Sequence, residues 1–282
     1  MKTPDIGLTT PNPVLVSGLF PQILQGLLEF LRSLSEEQWG RGTVCAGWTV
    51  KDVALHLLGV EIGNLSYRRD GLVMRAEIGD WKGLVAYVND WNQNWVAVAR
   101  RISPPVLVDL LELTGAQMCA YFQSLDPYAM GGAISWVDEQ PQPVWLDLAR
   151  EYTERWHHQQ HIRDAVGRAG FKQPEFLSPA LEAFLRALPR AYEGITAQED
   201  ACVTVTISGE AGSRWSILRQ ATGWQLYAGA PATPDAEVTL DQEVAWRLFT
   251  RGISRKQALE KLSLQGDRAL GLKVLEMVSI IA

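Results

Sequence analysis

Three of the four histidines in this 282-residue chain fall within five positions. They are His157, His158 and His161, in the run Glu154-Arg-Trp-His-His-Gln-Gln-His161. The fourth, His56, ends the stretch Trp48-Thr-Val-Lys-Asp-Val-Ala-Leu-His56. Neutral imidazole offers a lone pair near physiological pH and is the commonest metal ligand. Histidines used only for packing would not concentrate at two points. The placement predicts one metal site assembled from two helices.

On a helix, residues four apart share a face, offset by about 40° at 3.6 residues per turn. The cluster offers two such pairs, Glu154/His158 and His157/His161, and either could chelate a cation with His56. Trp145, Leu148, Ala149, Tyr152, Trp156, Ile162 and Val166 mark the apolar face of this helix. On a helical wheel His158 lies nearest that face, Glu154 and His161 follow on the same side, and His157 points furthest away. A site inside a bundle therefore favours Glu154 and His158. His161 would either replace a ligand or orient one by hydrogen bonding. Two histidines and one carboxylate leave coordination positions open for water, thiol or substrate, as catalytic sites require. Zinc is the first expectation, and nickel, iron or manganese would accept the same donors.

The elements that must position these residues are helices. Ile23, Leu24, Leu27, Leu28, Phe30, Leu31 and Leu34 recur at helical spacing and fade into Ser35-Glu-Glu-Gln-Trp39. After a loop containing Gly40, Gly42 and Gly47, a second helix starts near Thr49, an N-cap with Asp52 three residues on. A third is expected over 80–101, and Pro104-Pro105 separates it from a fourth over 106–125. The Gly131-Gly132 region and Pro141-Gln-Pro143 read as a loop. A long helix then carries the histidines to about Ala169, and another follows over 179–192. Long helices with short connections predict an α-helical up-down bundle, whose interior commonly houses metal sites.

The pattern changes near residue 200. Cys202–Ile207, Arg214–Leu218, Trp224–Tyr227 and Ala236–Leu240 alternate as strands, with Gly209, Gly212 and Gly223 as turns. Helical segments follow over 242–250, 255–262 and 267–278. The organisation expected is a helical bundle over 1–198 followed by a small α+β domain over 199–282.

Composition excludes several classes. A net charge of −6 with no basic run argues against nucleic acid. Three separated cysteines, Cys45, Cys119 and Cys202, make neither a disulfide framework nor a thiolate zinc site. Pro11, Pro13 and Pro21 interrupt the N-terminal apolar stretch, and no run is long enough to span a bilayer. The expected location is the cytoplasm.

Among the remaining prominent residues, Trp48 and Trp156 are read as core and Asp52 as a helix cap. Glu61 and Glu151 could reach the mouth of the site but are read as exposed helix carboxylates. Cys45, a few residues before the histidine helix, could lie near the metal, but with no basic neighbour in sequence it is read as inert. The run from about residue 240 to Arg255 is read as a mixed, solvated surface.

Gly47-Trp48-Thr-Val-Lys-Asp-Val-Ala-Leu-His56 is similar to the first helix motif of the DinB-like metal-binding bundles. Glu154-x-x-x-His158-x-x-His161-Ile-Arg-Asp164 resembles their later motif. Within that superfamily, Glu-x-x-x-His is the form found in mycothiol-dependent maleylpyruvate isomerase. The region 200–282, from Ala236-Glu-Val-Thr-Leu through Leu264-Gln-Gly266-Asp267-Arg-Ala-Leu270, resembles the sterol-carrier-like domain attached to that isomerase.

The resemblance implies His56, Glu154 and His158 as metal ligands, with His161 standing where relatives often have aspartate. It also implies an arginine from the C-terminal domain, for which Arg214, Arg219 and Arg247 are the candidates. The activity implied is that of a metal-dependent isomerase or transferase. It would use a low-molecular-weight thiol, mycothiol or an analogue, on a small electrophile, as a monomer or homodimer. Two other readings stand beside it: a binding protein for a lipid or hydrophobic ligand with a structural metal site, and a stress-induced bundle with a vestigial one.

Overall fold

The computed structural model describes residues 7–73, 80–134 and 136–279. Its elements, in chain order, begin with β1 (Leu8–Thr9), α1 (Phe20–Arg32), α2 (Glu36–Trp39) and α3 (Val50–Asn64). Next come α4 (Trp81–Ala99), α5 (Pro104–Ser124), β2 (Met130–Ile134), β3 (Asp138–Pro143), α6 (Val144–Val166) and α7 (Pro174–Leu185). The last part holds β4 (Cys202–Ser208), β5 (Ser213–Gln220), β6 (Gly223–Gly229), β7 (Ala236–Asp241), α8 (Gln242–Phe249), α9 (Arg255–Leu259), β8 (Ser263–Gly266) and α10 (Arg268–Leu272). A helical bundle followed by an α+β region is thus the observed fold class. No helix among the described residues is long and apolar enough to cross a membrane.

Contacts group the chain into two interleaved units. One, the helical unit, comprises Val16–Pro127 and Glu154–Phe171. The other, the sheet unit, takes the residues up to Leu15, Tyr128–Thr153 and the chain from Lys172 onward. The point near residue 200 is where helices give way to consecutive strands.

In the helical unit, α1 packs on α5, and α3 packs on both α4 and α5. The core joins Leu27, Leu31, Val53, Leu58, Leu107 and Ile162, with their neighbours, into one cluster. Each fully buried aliphatic side chain of this kind stabilises by about 1.5–3 kcal/mol. α3 starts where its sequence says it must. Thr49 accepts from the Asp52 backbone while the Asp52 carboxylate accepts from the Thr49 backbone, closing a capping box. Arg100 then clasps Asp52 at 2.9 Å. Gly59 lets the Trp95 indole lie on α3, where a Cβ would meet the ring at 2.6 Å. The Trp95 Nε1 donates to the Leu55 carbonyl. The C-terminal part of α6 is tied to α1 through Gln159, which donates to the Ile23 carbonyl, and Arg163, which donates to that of Gly26.

The sheet unit holds a six-stranded sheet in the order β1-β6-β5-β4-β7-β8. Neighbours run antiparallel except β4 and β7, which pair in parallel with Val203 opposite Ala236. Val203, Val205, Ile217, Val238 and Leu240 are buried. So are Trp246 and Phe249 of α8, with Phe249 beside Phe184 of α7. The expectation of a solvated surface from residue 240 onward is therefore corrected: the apolar stripe of α8 is core. The expected loop around Gly131 and Pro141 is corrected as well, since β2 and β3 form an irregular antiparallel pair. Strands β1 and β8 also complete the sheet beyond the four expected.

Candidate metal centre

Two helices deliver the three anticipated donors to one point. His56 sits in the second turn of α3, and its Nε2 lies 2.9 Å from Glu154 Oε1. One turn along α6 from Glu154, His158 Nε2 lies 3.2 Å from that same oxygen. One donor atom from each of the three residues falls within 4.8 Å of the others. Zinc–nitrogen bonds of about 2.0–2.1 Å put donors on one ion roughly 3–4 Å apart. The donor set therefore fits a first-row divalent cation. The second ring nitrogens of His56 and His158 are buried without a hydrogen-bond partner among the described residues.

Burial alone raises the Glu154 carboxyl, but the charge of His158 and hydrogen bonds from His158 and His56 hold it well below the usual range. Burial lowers His158, yet the Glu154 charge, the nearby Cys45 sulfur and the hydrogen bond with Glu154 push it up to about 10. His56 stays depressed, chiefly because burial disfavours its charged form. In the cation-free protein the site is a carboxylate between one protonated and one neutral imidazole.

The supports are buried charges. Arg155, next to Glu154, donates to Glu61 of α3 at 2.9 Å and lies over the packed rings of Phe20 and Phe122. This pair locks α3 to α6 beside the ligands. Glu61 is only 5% exposed and Glu151 only 2%. Their reading as exposed carboxylates is corrected: Glu61 pairs with Arg155, and Glu151 with Arg150. The wheel placement of His157 is corrected too. It is buried, with its ring 4.1 Å from that of His158 and 5.2 Å from that of His161. The wheel scored only apolar residues, whereas polar α6 residues such as Gln159, Gln160 and Arg163 are buried as well.

Trp156 is core, with Nε1 donating to the Phe171 carbonyl. Trp48 packs on the core and also walls the site, its ring 5.2 Å from that of His56. Cys45, read as inert from the sequence, lies against the histidine cluster. Its Sγ lies 3.3 Å from His161 Nδ1, so its basic neighbours come from α6, more than a hundred positions away. The only sequence signal was its place just before α3.

In the sheet unit, Arg214 pairs with Glu237, and Arg247 with Glu243 beneath the Trp246 ring. Arg219 borders a cleft of about 780 Å³, together with Glu139, Arg190, Glu193 and Trp224. These side chains make it a polar cleft rather than an apolar groove for a lipid.

Residues 20–163 match the family model of the mycothiol maleylpyruvate isomerase N-terminal domain. No curated protein matches the chain. Among solved structures, a crystal structure of the mycothiol-dependent maleylpyruvate isomerase is similar at 14% identity, with a TM-score of 0.50 over 82% of this chain and 86% of that one. That likeness bears on the fold. A histidine-to-alanine mutant of the same isomerase gives 13% identity and a TM-score of 0.49, covering 88% of this chain and 91% of that one.

Proposed function

The chain belongs to the family of mycothiol maleylpyruvate isomerase N-terminal domains, and from that premise we propose a divalent-metal-dependent enzyme. It would use a low-molecular-weight thiol, mycothiol or an analogue, to isomerise, conjugate or transfer onto a small electrophile. The observation that carries this reading is the convergence of two imidazole Nε2 atoms, from His56 and His158, on one oxygen of Glu154. Under it, His56, Glu154 and His158 hold the cation, zinc first and nickel, iron or manganese by the same donors. A cation there supplies Lewis acidity, lowering the pKa of a bound thiol or water and polarising a carbonyl.

The chain's own residues set the terms. Glu154 offsets part of the cation's charge, which favours exchange of whatever fills the open position. Trp48 restricts water on the His56 side, and the Glu61–Arg155 pair fixes the approach of the two helices. His161 is placed to hold or move a proton at the edge of the site. The sterol-carrier-like reading of the C-terminal strands and helices is kept as part of this proposal. Its arginine would come from Arg214, Arg219 or Arg247, of which Arg219 borders the cleft.

The test is a titration of the cobalt-substituted protein with mycothiol and with smaller thiols, followed by visible absorption. Thiol-dependent spectral change at one equivalent is the expected result. A cobalt spectrum indifferent to every thiol would contradict the proposal and favour a closed, structural site.

A further inference from the structure

The three donors of the proposed centre are not the only ligand set here. Cys45, His158 and His161 form another group whose donor atoms all lie within 4.8 Å of one another, and it shares only His158 with the first. The loop before α3 holds Cys45 in place. Its backbone N–H donates to Thr43 Oγ1, and its carbonyl accepts from Trp48 N–H, closing a turn. Gly47 takes the third position of that turn at φ 75°, a left-handed conformation that suits glycine. Thr43 N–H in turn donates to the Trp48 carbonyl, and Gly42 bridges to Thr49. The thiol is thus presented by a tied loop anchored at the capped start of α3. Its Sγ sits 3.3 Å from His161 Nδ1 and within 4.8 Å of a His158 ring nitrogen.

The two groups differ in chemistry. The first pairs imidazoles with a carboxylate, a donor set that accepts zinc, manganese, iron or nickel. The second pairs imidazoles with a sulfur, and soft thiolate donors select thiophilic ions. We propose that Cys45, His158 and His161 form a second cation position, selective for thiophilic ions such as Cd²⁺, Zn²⁺ or Cu⁺, that competes with the first position for His158. The inference goes beyond the proposed function and rests on it only through that shared histidine. For a divalent ion the balance is simple. Cys45–SH, the protonated His158 ring and M²⁺ give a Cys45–S–M–His158 unit of net charge +1 and two protons released to the buffer, with no change of oxidation state. A small thiol that captures the ion at the first position would draw it off Cys45, so the chain carries its own competitor for the thiol it uses.

The experiment is a Cd²⁺ titration of untagged protein without added thiol. Bound cadmium is measured by equilibrium dialysis and thiolate-to-cadmium charge transfer by ultraviolet absorption. The wild type should show the band. Cys45→Ser and Cys45→Ala should lose it while still binding cadmium, which isolates Cys45 from Cys119 and Cys202. Glu154→Gln and His56→Ala, which strip donors used only by the first group, should keep it. A band that survives in both Cys45 variants overturns the inference. A band that disappears in both Glu154→Gln and His56→Ala also overturns it, because Cys45 would then be a fourth ligand of the first position. Cadmium bound to wild type without any band sinks the inference alone and leaves the proposed function standing. No bound cadmium in any form removes both.

Discussion

The interiors of the two units are built from different materials. The sheet unit buries Val203, Val205, Ile217, Val238, Leu240, Trp246 and Phe249, and its buried hydroxyls Thr204 and Ser216 satisfy each other at 2.9 Å. The helical unit buries His56, Glu61, Arg155, His157, His161 and Arg163 beside its aliphatic core. Taking charges out of water costs several kcal/mol per ion even after relaxation, and their mutual attraction often only offsets that. A bundle needing only stability would do as well with apolar residues. Under the proposed function, the charged groups gathered where α3 meets α6 mark a place where stability is exchanged for chemistry; the sheet unit buries mainly apolar residues, with Glu151, paired with Arg150, the charged exception.

That contrast can be broken in graded steps. Phe249→Ala should destabilise by about 3–5 kcal/mol, as for other buried aromatics, while cation affinity of the folded protein stays unchanged. Urea denaturation with and without metal would show it. In the helical unit, Glu61→Leu should cost about 3 kcal/mol or more, because Arg155 loses its buried carboxylate. Adding Arg155→Met should recover most of that stability, and the double variant should bind cation more weakly because Glu154 is no longer fixed. Full affinity in the double variant would mean that the buried pair serves stability alone.

A smaller effect follows from titration. Burial lowers the His158 pKa but the Glu154 charge overrides it, so the ring keeps its proton up to about pH 10 without cation, and a metal must displace it. Apparent affinity should rise roughly tenfold per pH unit across the neutral range, with about one proton released at His158 per ion. Calorimetry in buffers of different ionisation enthalpy measures this. The sign for folding follows from the same raised pKa. The His158 contribution to cation-free stability is fully present below its unfolded pKa of about 6.5 and is lost as the pH rises through about 10. The smallest effect belongs to His157, which packs against the His158 ring without joining either ligand group. His157→Ala should change affinity by less than the ~10–100-fold typical of lost outer-shell partners.

How much of this could be read in advance depended on the kind of signal. Thr49 with Asp52 marked the start of α3 to the residue, because a capping box is a local device. Alternation located β4 to β7, where one residue type repeats on one face. Strand β1 is two residues long and joins the sheet by pairing with β6, so it leaves no side-chain pattern. In β2 and β3, Gly131, Pro141 and Pro143 resemble loop residues, although Pro141 and Pro143 sit opposite Ala133 and Met130. The burial of Glu61, Glu151 and His157 was hidden because a wheel assumes one solvent face. The Cys45–His161 contact spans the sequence from the α3 loop to α6, and no local rule reaches that far. The approach of Glu154 to His158 was legible because residues four apart share a helix face.

The measurement that tests the account most directly is the metal content of untagged protein beside Glu154→Ala and His157→Ala. The account predicts near-stoichiometric divalent metal in the wild type, nearly the same in His157→Ala, and almost none in Glu154→Ala. Metal retained by Glu154→Ala but lost from His157→Ala would contradict it and make His157/His161 the chelating pair.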